Sequence, residues 1–286
     1  MYAAISPSEA ETRWSDGAAR ITVAADQGTT RLRDLYQSDP CRVLFPRPGD
    51  GGALEGVIVT TSGGIVGGDR IAIEIEAGDG CAATITTQAA EKIYRSAGPV
   101  SEISVQVKVG ANAVLEWMPQ GTILFDGARL RRKTSIEAAP GSRLLCGEFI
   151  VFGRRARGEK FESGFLHDGW RWTEGGRLIW ADALHLADDP GATIARTNNF
   201  DGAASYGTMI YRADGGPDCL GMVRNLLSDA TGDGCTAGVT CLGALLVVRF
   251  LGKDAAATRR SFARFWSAMR AELLGLPARL PRVWEI

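Results

Sequence analysis

The stretch Ile71-Ala72-Ile73-Glu74-Ile75-Glu76 decides the fold class, because bulky apolar side chains alternate along it with smaller or charged ones. This alternation predicts a β-strand with one face in a core and the other in solvent. The turn Gly78-Asp79-Gly80 follows, and Cys81–Thr87 continues as a second strand-like run. The sequence therefore predicts a strand, a tight turn and a second strand over residues 71–87.

The same arrangement recurs twice further along the chain. The two further copies are Ser101–Val109 with Ala113–Met118, and Leu130–Glu137 with Ser142–Val151. The turn glycines Gly78, Gly110 and Gly141 are 32 and 31 residues apart. A period of roughly 30 residues predicts stacked coils, as in a β-helix. An ordinary β-sandwich with turns at similar intervals is the alternative.

The pattern changes after Leu186, where helical periodicity enters. Gly215-Gly216-Pro217-Asp218 predicts a helix start with Asp218 as N-cap, and Asp254 is expected to cap a second helix that ends near Gly275. The sequence thus predicts a mainly β fold with about two α-helices in the C-terminal third. We expect a flexible polar start over residues 1–18 and one domain over residues 19–286.

The second helix carries an apolar stripe that has two interpretations. Phe262 and Trp266 lie on the stripe, and Arg260 and Arg264 lie off it. The stripe packs on the protein's own sheet, or it forms a docking face for a partner in which these four residues take part. The sequence does not decide between the two interpretations.

Composition excludes several classes of function. The chain has 286 residues with 32 basic and 33 acidic side chains, a balance that gives no general attraction to nucleic acid or to an anionic membrane. The first residues lack a basic start and an apolar segment, so no secretory signal is predicted. Six widely spaced cysteines without a CxxC pair predict reduced thiols and a cytoplasmic protein.

The Gly-rich segment Thr61–Asp69 does not fit a nucleotide-binding loop. A P-loop requires GK[ST] at its end, whereas here Gly68 is followed by Asp69, which repels phosphate. A dinucleotide fingerprint requires a following helix, but a strand pattern follows. We expect instead that the glycines allow two backbones to approach closely and hold Asp69 at the start of a strand.

Catalytic and tight metal-binding patterns are missing from the sequence. His167 and His185 are the two histidines, and their spacing matches no zinc motif. We therefore predict a protein that is not an enzyme and has no stable metal site. A hydrolase with paired carboxylates and a carbohydrate-binding β-helix are the alternatives. Scattered acids would bind a divalent ion weakly, which suits transfer better than storage.

Four segments in order resemble the UreD (UreH) family of urease accessory proteins. They are TSGGIVGGD (Thr61–Asp69), TTQAAEKIYRS (Thr86–Ser96), LEWMPQGTILFDGARL (Leu115–Leu130) and PRVW (Pro281–Trp284). The resemblance implies a mostly β fold and no catalysis. It also implies binding to apo-urease together with UreF and the GTPase UreG, a dimer within that accessory complex, and transient nickel in place of a bound cofactor.

The resemblance further implies an internal path for nickel. We hypothesise that this path is lined by Asp69, Gln88, Glu116, Gln120, Asp126 and Glu148. Gln88 and Gln120 end neighbouring coils and are expected to face one hydrated passage. Gly121 departs from the family pattern, which usually has an acid at this position. On this hypothesis Asp69→Ala lowers urease activation and leaves folding largely intact.

Overall fold

The computed structural model describes residues 14–46, 53–212 and 218–285. The strands in these ranges are β1 Asp16–Asp26, β2 Thr29–Ser38, β3 Cys41–Leu44, β4 Leu54–Thr60, β5 Arg70–Ala77, β6 Ala82–Thr87, β7 Glu91–Ile93, β8 Ser101–Val109, β9 Val114–Met118, β10 Thr122–Leu124, β11 Arg129–Ala138, β12 Arg143–Phe152, β13 Phe165–Glu174, β14 Arg177–Leu186, β15 Ser205–Arg212, β16 Cys235–Leu242 and β17 Leu245–Gly252. The helices are α1 Pro190–Ala195, α2 Leu220–Ala230 and α3 Ala255–Glu272.

The strands form two facing sheets. One sheet has the order β14-β13-β11-β8-β5-β1-β2, and the other follows the path β16-β17-β15-β12-β9-β6-β4-β3, with β10 beside β12 and β7 beside β10. Each coil contributes one strand to each sheet, and β5, β8 and β11 run parallel to one another, as do β6, β9 and β12. The prediction of a mainly β fold with stacked coils is therefore confirmed.

The turn between the two strands of each coil depends on one left-handed residue. Gly80, Asn112 and Gly141 have φ values of 66°, 56° and 72°. Glycine and asparagine tolerate this conformation better than other residues. These positions are 32 and 29 residues apart, the same offsets as in the strand ladders. The predicted spacing from Gly110 to Gly141 was therefore two residues too long, because the residue equivalent to Gly141 in that coil is Asn112 instead of Gly110.

The fold has three layers, which are the two sheets and the helices α2 and α3, and a hydrophobic core lies at each of the two interfaces between them. The larger core lies between the two sheets, and the second lies between β12, β15 and β17 and the helices α2 and α3. Asp254 accepts hydrogen bonds from the backbone N–H groups of Ala256 and Ala257, which confirms the predicted cap of α3. Helix α3 packs so closely that a Cβ atom on Gly147 would lie 2.8 Å from the Phe262 ring.

Several ends of elements differ from the predictions. The N-cap of α2 is Cys219 instead of Asp218, and residues 215–217 lie outside the described residues. The short helix α1 adds to the two expected helices, because Asp189 caps it and Pro190 occupies its first turn. Strand β1 begins at Asp16, and residues 1–13 lie outside the described residues. No helix in the described ranges is long and apolar enough to cross a membrane.

Candidate functional site

The Gly-rich segment lies directly against the segment that follows β6. The backbone N–H of Ile65 donates to the Lys92 carbonyl at 2.8 Å, and the N–H of Tyr94 donates to the Ile65 carbonyl at 2.9 Å. Gly64 has a φ of 152°, and a Cβ atom there would lie 2.4 Å from the Tyr94 ring. Only glycine fits this position, so the predicted close approach of two backbones is confirmed.

Two further segments of the family resemblance, Leu115–Leu130 and Pro281–Trp284, both contact the segment Thr86–Ser96. Strand β7 pairs in parallel with β10, and the Glu91 N–H donates to the Gly121 carbonyl at 2.8 Å. The indole N–H of Trp284 donates to Thr86 Oγ1 at 2.9 Å. The first three segments therefore meet at one end of the space between the sheets, whereas Trp284 packs with α3 on the other face of the ten-stranded sheet.

This end of the space between the sheets contains a cavity of about 40 Å³, which we call the interior cavity. Its polar lining consists of Thr60, Thr87, Glu91, Thr122, Arg132 and Glu148. The remaining wall is mostly isoleucine, valine and tryptophan, with Cys41 at one side. The volume accommodates a water molecule or a bare ion, which limits what the cavity can bind.

A buried charge cluster forms the inner wall of the interior cavity. Alternation along β11 points Arg132 inward between Leu130 and Thr134. Arg132 Nε and Nη2 each lie 2.9 Å from a different oxygen of Asp168, which is a bidentate pair. Arg132 Nη1 donates to Thr122 Oγ1 at 2.9 Å and lies 2.7 Å from Glu148 Oε2.

Burial controls the ionisation of the cavity acids. It raises the pKa of Glu148 to about 8, although the Arg132 charge acts in the opposite direction. Burial also raises the pKa of Glu91, against a hydrogen bond of 2.7 Å from Thr60 Oγ1. For Arg132 burial alone would lower the pKa, but the Asp168 and Glu148 carboxylates raise it above its usual value. The cluster therefore holds one guanidinium between two acids, one of which readily carries a proton.

The ionisation of Glu148 should make stability depend on pH. Its pKa in the folded protein is raised from 4.5 to about 8, so the folded state binds more protons than the unfolded chain between these values. The contribution of Glu148 to folding is therefore greatest below this window and decreases as pH rises through it. We expect the melting temperature to fall more steeply with rising pH for the parent chain than for Glu148→Gln. Parallel melting curves against pH would contradict this.

The Cys41 thiol contributes a weak donor to the interior cavity. Burial, reinforced by Glu91, raises its pKa to about 11. The thiol therefore stays protonated near neutral pH, whereas tight metal binding by cysteine requires the thiolate. The described lining contains no histidine. Carboxylate and hydroxyl oxygens are therefore the main groups in the cavity lining that can bind a metal ion, and they bind it weakly.

Two larger spaces border the interior cavity. An outer cavity of about 80 Å³ is lined by Gly63, Gln88 and Lys92 and shares Thr60, Thr87 and Glu91 with the interior cavity. A broad groove of about 1070 Å³ carries Gln120 and shares Gly121 and Thr122 with the interior cavity. Glu91 therefore lies between the outer and the interior cavity.

The hypothesised path residues do not come together as one lining. Glu148 lines the interior cavity, and Gln88 is exposed in the outer cavity. Gln120 lines the groove, where its side chain donates to the Val283 carbonyl and accepts from Arg259. Gln88 and Gln120 thus face different spaces, although Thr87 Oγ1 accepts from the Gln120 N–H at 2.9 Å and the coils do stack as expected.

The carboxylate oxygens of Glu116 and Asp126 are engaged by donors within the protein. Glu116 is completely buried and accepts hydrogen bonds from the Thr84 hydroxyl and the Trp266 indole N–H. Asp126 Oδ1 accepts from the N–H groups of Glu162 and Ser163, and Oδ2 lies 3.0 Å from Arg95 Nη2. Burial opposes ionisation of Asp126, but these hydrogen bonds outweigh it and lower the pKa. Both acids stabilise the fold outside the interior cavity.

Asp69 closes the Gly-rich loop from inside. Its Oδ1 accepts from the Ser15 N–H at 2.8 Å, and its Oδ2 accepts from the Val66 N–H at 2.9 Å. The side chain therefore links the residue before β1 to the loop, and it lines neither the interior cavity nor the outer cavity nor the broad groove.

Asp69→Ala should consequently reduce stability, contrary to the expectation from the sequence that folding stays largely intact. Two backbone N–H groups lose their acceptor, which costs about 1–3 kcal/mol of unfolding free energy. Denaturant unfolding would measure the change, with Glu76→Ala on the exposed face of β5 as control. A loss no greater than that of the control would remove this role for Asp69.

The four residues hypothesised to dock a partner separate into two groups. Phe262 and Trp266 are 1% and 0% exposed and pack in the core beneath α3. The apolar stripe of α3 therefore packs on the protein's own sheet. Arg260 and Arg264 are exposed, and Arg264 Nε donates to the Ala230 carbonyl at 3.0 Å. Of the four hypothesised docking residues, Arg260 and Arg264 are the two that are accessible to a partner.

Sequence reasoning missed Glu91, Arg132 and Asp168 as parts of the site. A signal was present for two of them, because Arg132 and Asp168 occupy inward positions of alternating strands, where the other inward side chains are mostly apolar. A charged residue at an inward position requires a buried partner. Glu91 had no comparable signal, since it starts a strand of three residues.

The fold and the cavity define a stacked-coil β scaffold that encloses a small acidic space of the size of an ion. Residues 15–285 match the family of the UreD urease accessory protein. The chain is 41% identical over 272 residues to urease accessory protein UreD of Magnetococcus marinus, covering 94% of each chain. It is 44% identical over 260 residues to that of Methylobacterium sp. (strain 4-46), covering 90% of each. The chain belongs to the UreD urease accessory protein family.

Proposed function

We propose that the protein is a urease maturation scaffold that passes nickel through the space between its sheets toward apo-urease. The observation that carries the proposal is the interior cavity with Glu91 at its outer side and Glu148 at its inner side. Membership of the UreD family supports the link to urease. The mechanism is binding and conduction, without bond making in a substrate.

Weak oxygen donors suit an ion that must leave again. Glu91, Glu148 and the threonines offer carboxylate and hydroxyl oxygens, while Cys41 stays protonated near neutral pH. A nickel ion that reaches Glu148 displaces the proton that this acid carries, because metal ligands must be deprotonated. Because the nickel ion replaces a proton on Glu148, the positive charge beside Arg132 rises by less than the full charge of the ion.

The proposed path begins in the outer cavity beside Gln88 and Gly63. It passes Thr60 and Glu91 and enters the interior cavity, where Glu148 lies at the far wall. The broad groove offers a second opening at Gly121, where an added Cβ atom would lie 2.7 Å from the Phe149 carbonyl oxygen. Of the residues hypothesised from sequence, Gln88 and Glu148 remain on this path.

The proposed partners are UreF, UreG and apo-urease, in a cytoplasmic accessory complex that contains this chain as a dimer. Nickel is then cargo and no tightly bound cofactor is needed. Arg260 and Arg264 on α3 are exposed and form the surface that we propose for UreF.

The geometry of the acids disfavours a hydrolase. The interior cavity of about 40 Å³ is too small for an organic substrate. In the described part of the broad groove Asp254 is the single acid, and its carboxylate already caps α3.

A further pocket of about 610 Å³ is lined by Asp126, Glu159 and Glu162. Asp126 pairs with Arg95 and Glu159 pairs with Arg154, and the pKa of each of these two acids is lowered, so neither suits the role of a general acid. The scaffold function therefore explains the interior cavity better.

The test is urease activation at limiting nickel with purified components. Glu148→Gln and Glu91→Gln keep side-chain volume and remove the carboxylate, and both should lower the fraction of urease activated. Glu76→Gln, an exposed acid on β5, is the matched control and should activate normally. Each variant must still co-purify with UreF, UreG and apo-urease, so that the effect belongs to transfer.

Full activation by both cavity variants would contradict the path. Loss of co-purification in the parent chain itself would contradict the proposed partners.

A further inference from the structure

The two histidines of the chain face each other on the outer surface of the seven-stranded sheet. They are separated by 18 residues in sequence, but the antiparallel ladder of β13 and β14 places His167 directly opposite His185. Their Nδ1 atoms lie 3.3 Å apart. His185 is exposed and His167 is half-buried, so solvent reaches the pair.

Neighbouring residues orient both imidazole rings. Phe165 contacts the His185 ring edge to face, with the centroids 5.5 Å apart. His167 lies over Gly169, where an added Cβ atom would be 3.1 Å from Nε2. The open space above Gly169 accommodates the His167 ring with its Nδ1 atom toward His185. The two nitrogens are therefore brought together before any ligand is present.

We propose that His167 and His185 form a two-point site for a transition-metal ion that prefers imidazole, such as Ni²⁺, Cu²⁺ or Zn²⁺. Two ring nitrogens at about 2.0–2.1 Å from one ion, at a tetrahedral angle, are about 3.3 Å apart. The pair has this separation already. In the tautomer that hydrogen-bonds the two Nδ1 atoms to each other, one of them carries the shared proton. On binding this proton moves to Nε2 of the same ring through solvent, so no net proton is lost.

The site is open and therefore exchangeable. Among the described residues no group of three or more His, Cys, Asp or Glu side chains could hold a metal ion, so water fills the remaining positions. His167 points to the outer face of β13, whereas its neighbour Asp168 points inward to Arg132. The histidine site is thus separated from the interior cavity by the sheet, and it does not depend on the proposed path.

Arg131 is one charged neighbour that opposes cation binding, and Lys133 and Arg171 line the same pocket as His167. Arg131 is paired with His167 in the ladder of β11 and β13 and lies on the same face. Its guanidinium stacks over Phe165 at 5.7 Å and lies 3.9 Å from Glu102, so its charge is partly balanced. Removal of this charge should strengthen metal binding a few-fold.

The experiment is a Cu²⁺ and Ni²⁺ titration of the untagged full chain, with Cu²⁺ electron paramagnetic resonance to count bound nitrogens. We expect hyperfine coupling to two imidazole nitrogens in the parent chain. His167→Gln and His185→Gln should each weaken binding roughly 10–100-fold, because the second contact of a two-point site forms intramolecularly. Arg131→Gln, on the same face, should bind more tightly than the parent.

Parent-like affinity in either histidine variant would overturn the proposal, as would a spectrum without two nitrogens. Melting curves establish that the variants are folded, which is expected because both histidines lie on the solvent side of the sheet. Urease activation is not the readout, so failure of this site and failure of the proposed path are distinguished.

Discussion

Arg132→Met is expected to lower the free energy of unfolding by about 3–5 kcal/mol, because it leaves a buried carboxylate without its partner. Arg132 is 3% exposed, and Asp168 beside it is also 3% exposed. Asp168 loses both hydrogen bonds of the bidentate pair, and no other basic residue contacts it in the described part of the chain. Equilibrium unfolding in urea measures the loss.

The neighbouring residue on the same strand supplies the control. Arg131 points to solvent, where it has a 3.9 Å ion pair with Glu102 and lies over the Phe165 ring, so Arg131→Met should change stability by about 1 kcal/mol or less. Arg132→Met combined with Asp168→Leu should recover part of the lost stability, since Asp168 is then removed and Glu148, whose pKa burial raises to about 8, can take up a proton. Equal losses for Arg131→Met and Arg132→Met would show that the buried cluster has no special role in stability.

Strand periodicity made much of this fold predictable. Ile71, Ile73 and Ile75 alternate so regularly that the inward face of β5 follows from the sequence. The cap of α3 was equally predictable, because Asp254 precedes a clear helical stripe. These features depend on residues close together in sequence, for which local physical rules suffice.

The facing histidines could not be predicted, because they depend on an irregularity in the ladder. A regular hairpin with its turn at Gly175-Gly176, in which Glu174 pairs with Arg177, would place His167 opposite Leu184. The register shifts between Trp172 and Thr173, and the shift moves His185 into that position. A one-residue shift exchanges the faces of a strand, and no sequence signal identified this bulge.

The roles of the acids were unpredictable for a different reason. Asp69, Glu116 and Asp126 match the pattern of scattered oxygen donors, but each is engaged by groups that fold back from elsewhere in the chain. Glu116 receives a hydrogen bond from Trp266, 150 residues away. Whether an acid binds an ion or holds the fold depends on such distant donors, which a single sequence does not reveal.

Glu116→Gln is expected to cost about 3–5 kcal/mol of stability, because it leaves the buried charge of Arg270 without its carboxylate. Glu116 Oε1 accepts from the Trp266 indole at 2.6 Å, and Oε2 accepts from Thr84 at 2.5 Å and lies 3.2 Å from Arg270. Burial raises the pKa of Glu116, while Arg270 opposes this. Three converging donors nevertheless require the ionised form, which only accepts hydrogen bonds. Thermal and urea unfolding measure the loss.

The control is Thr84→Val, which removes one of the three donors and should cost about 1 kcal/mol. A similar small loss for Glu116→Gln would mean that Arg270 is not held by this acid. The comparison also separates two ways of losing urease activation. Glu116→Gln should lose activation only where the protein unfolds and regain it at lower temperature. Glu148→Gln should stay defective at every temperature at which it is folded, because it removes an oxygen donor from the proposed path.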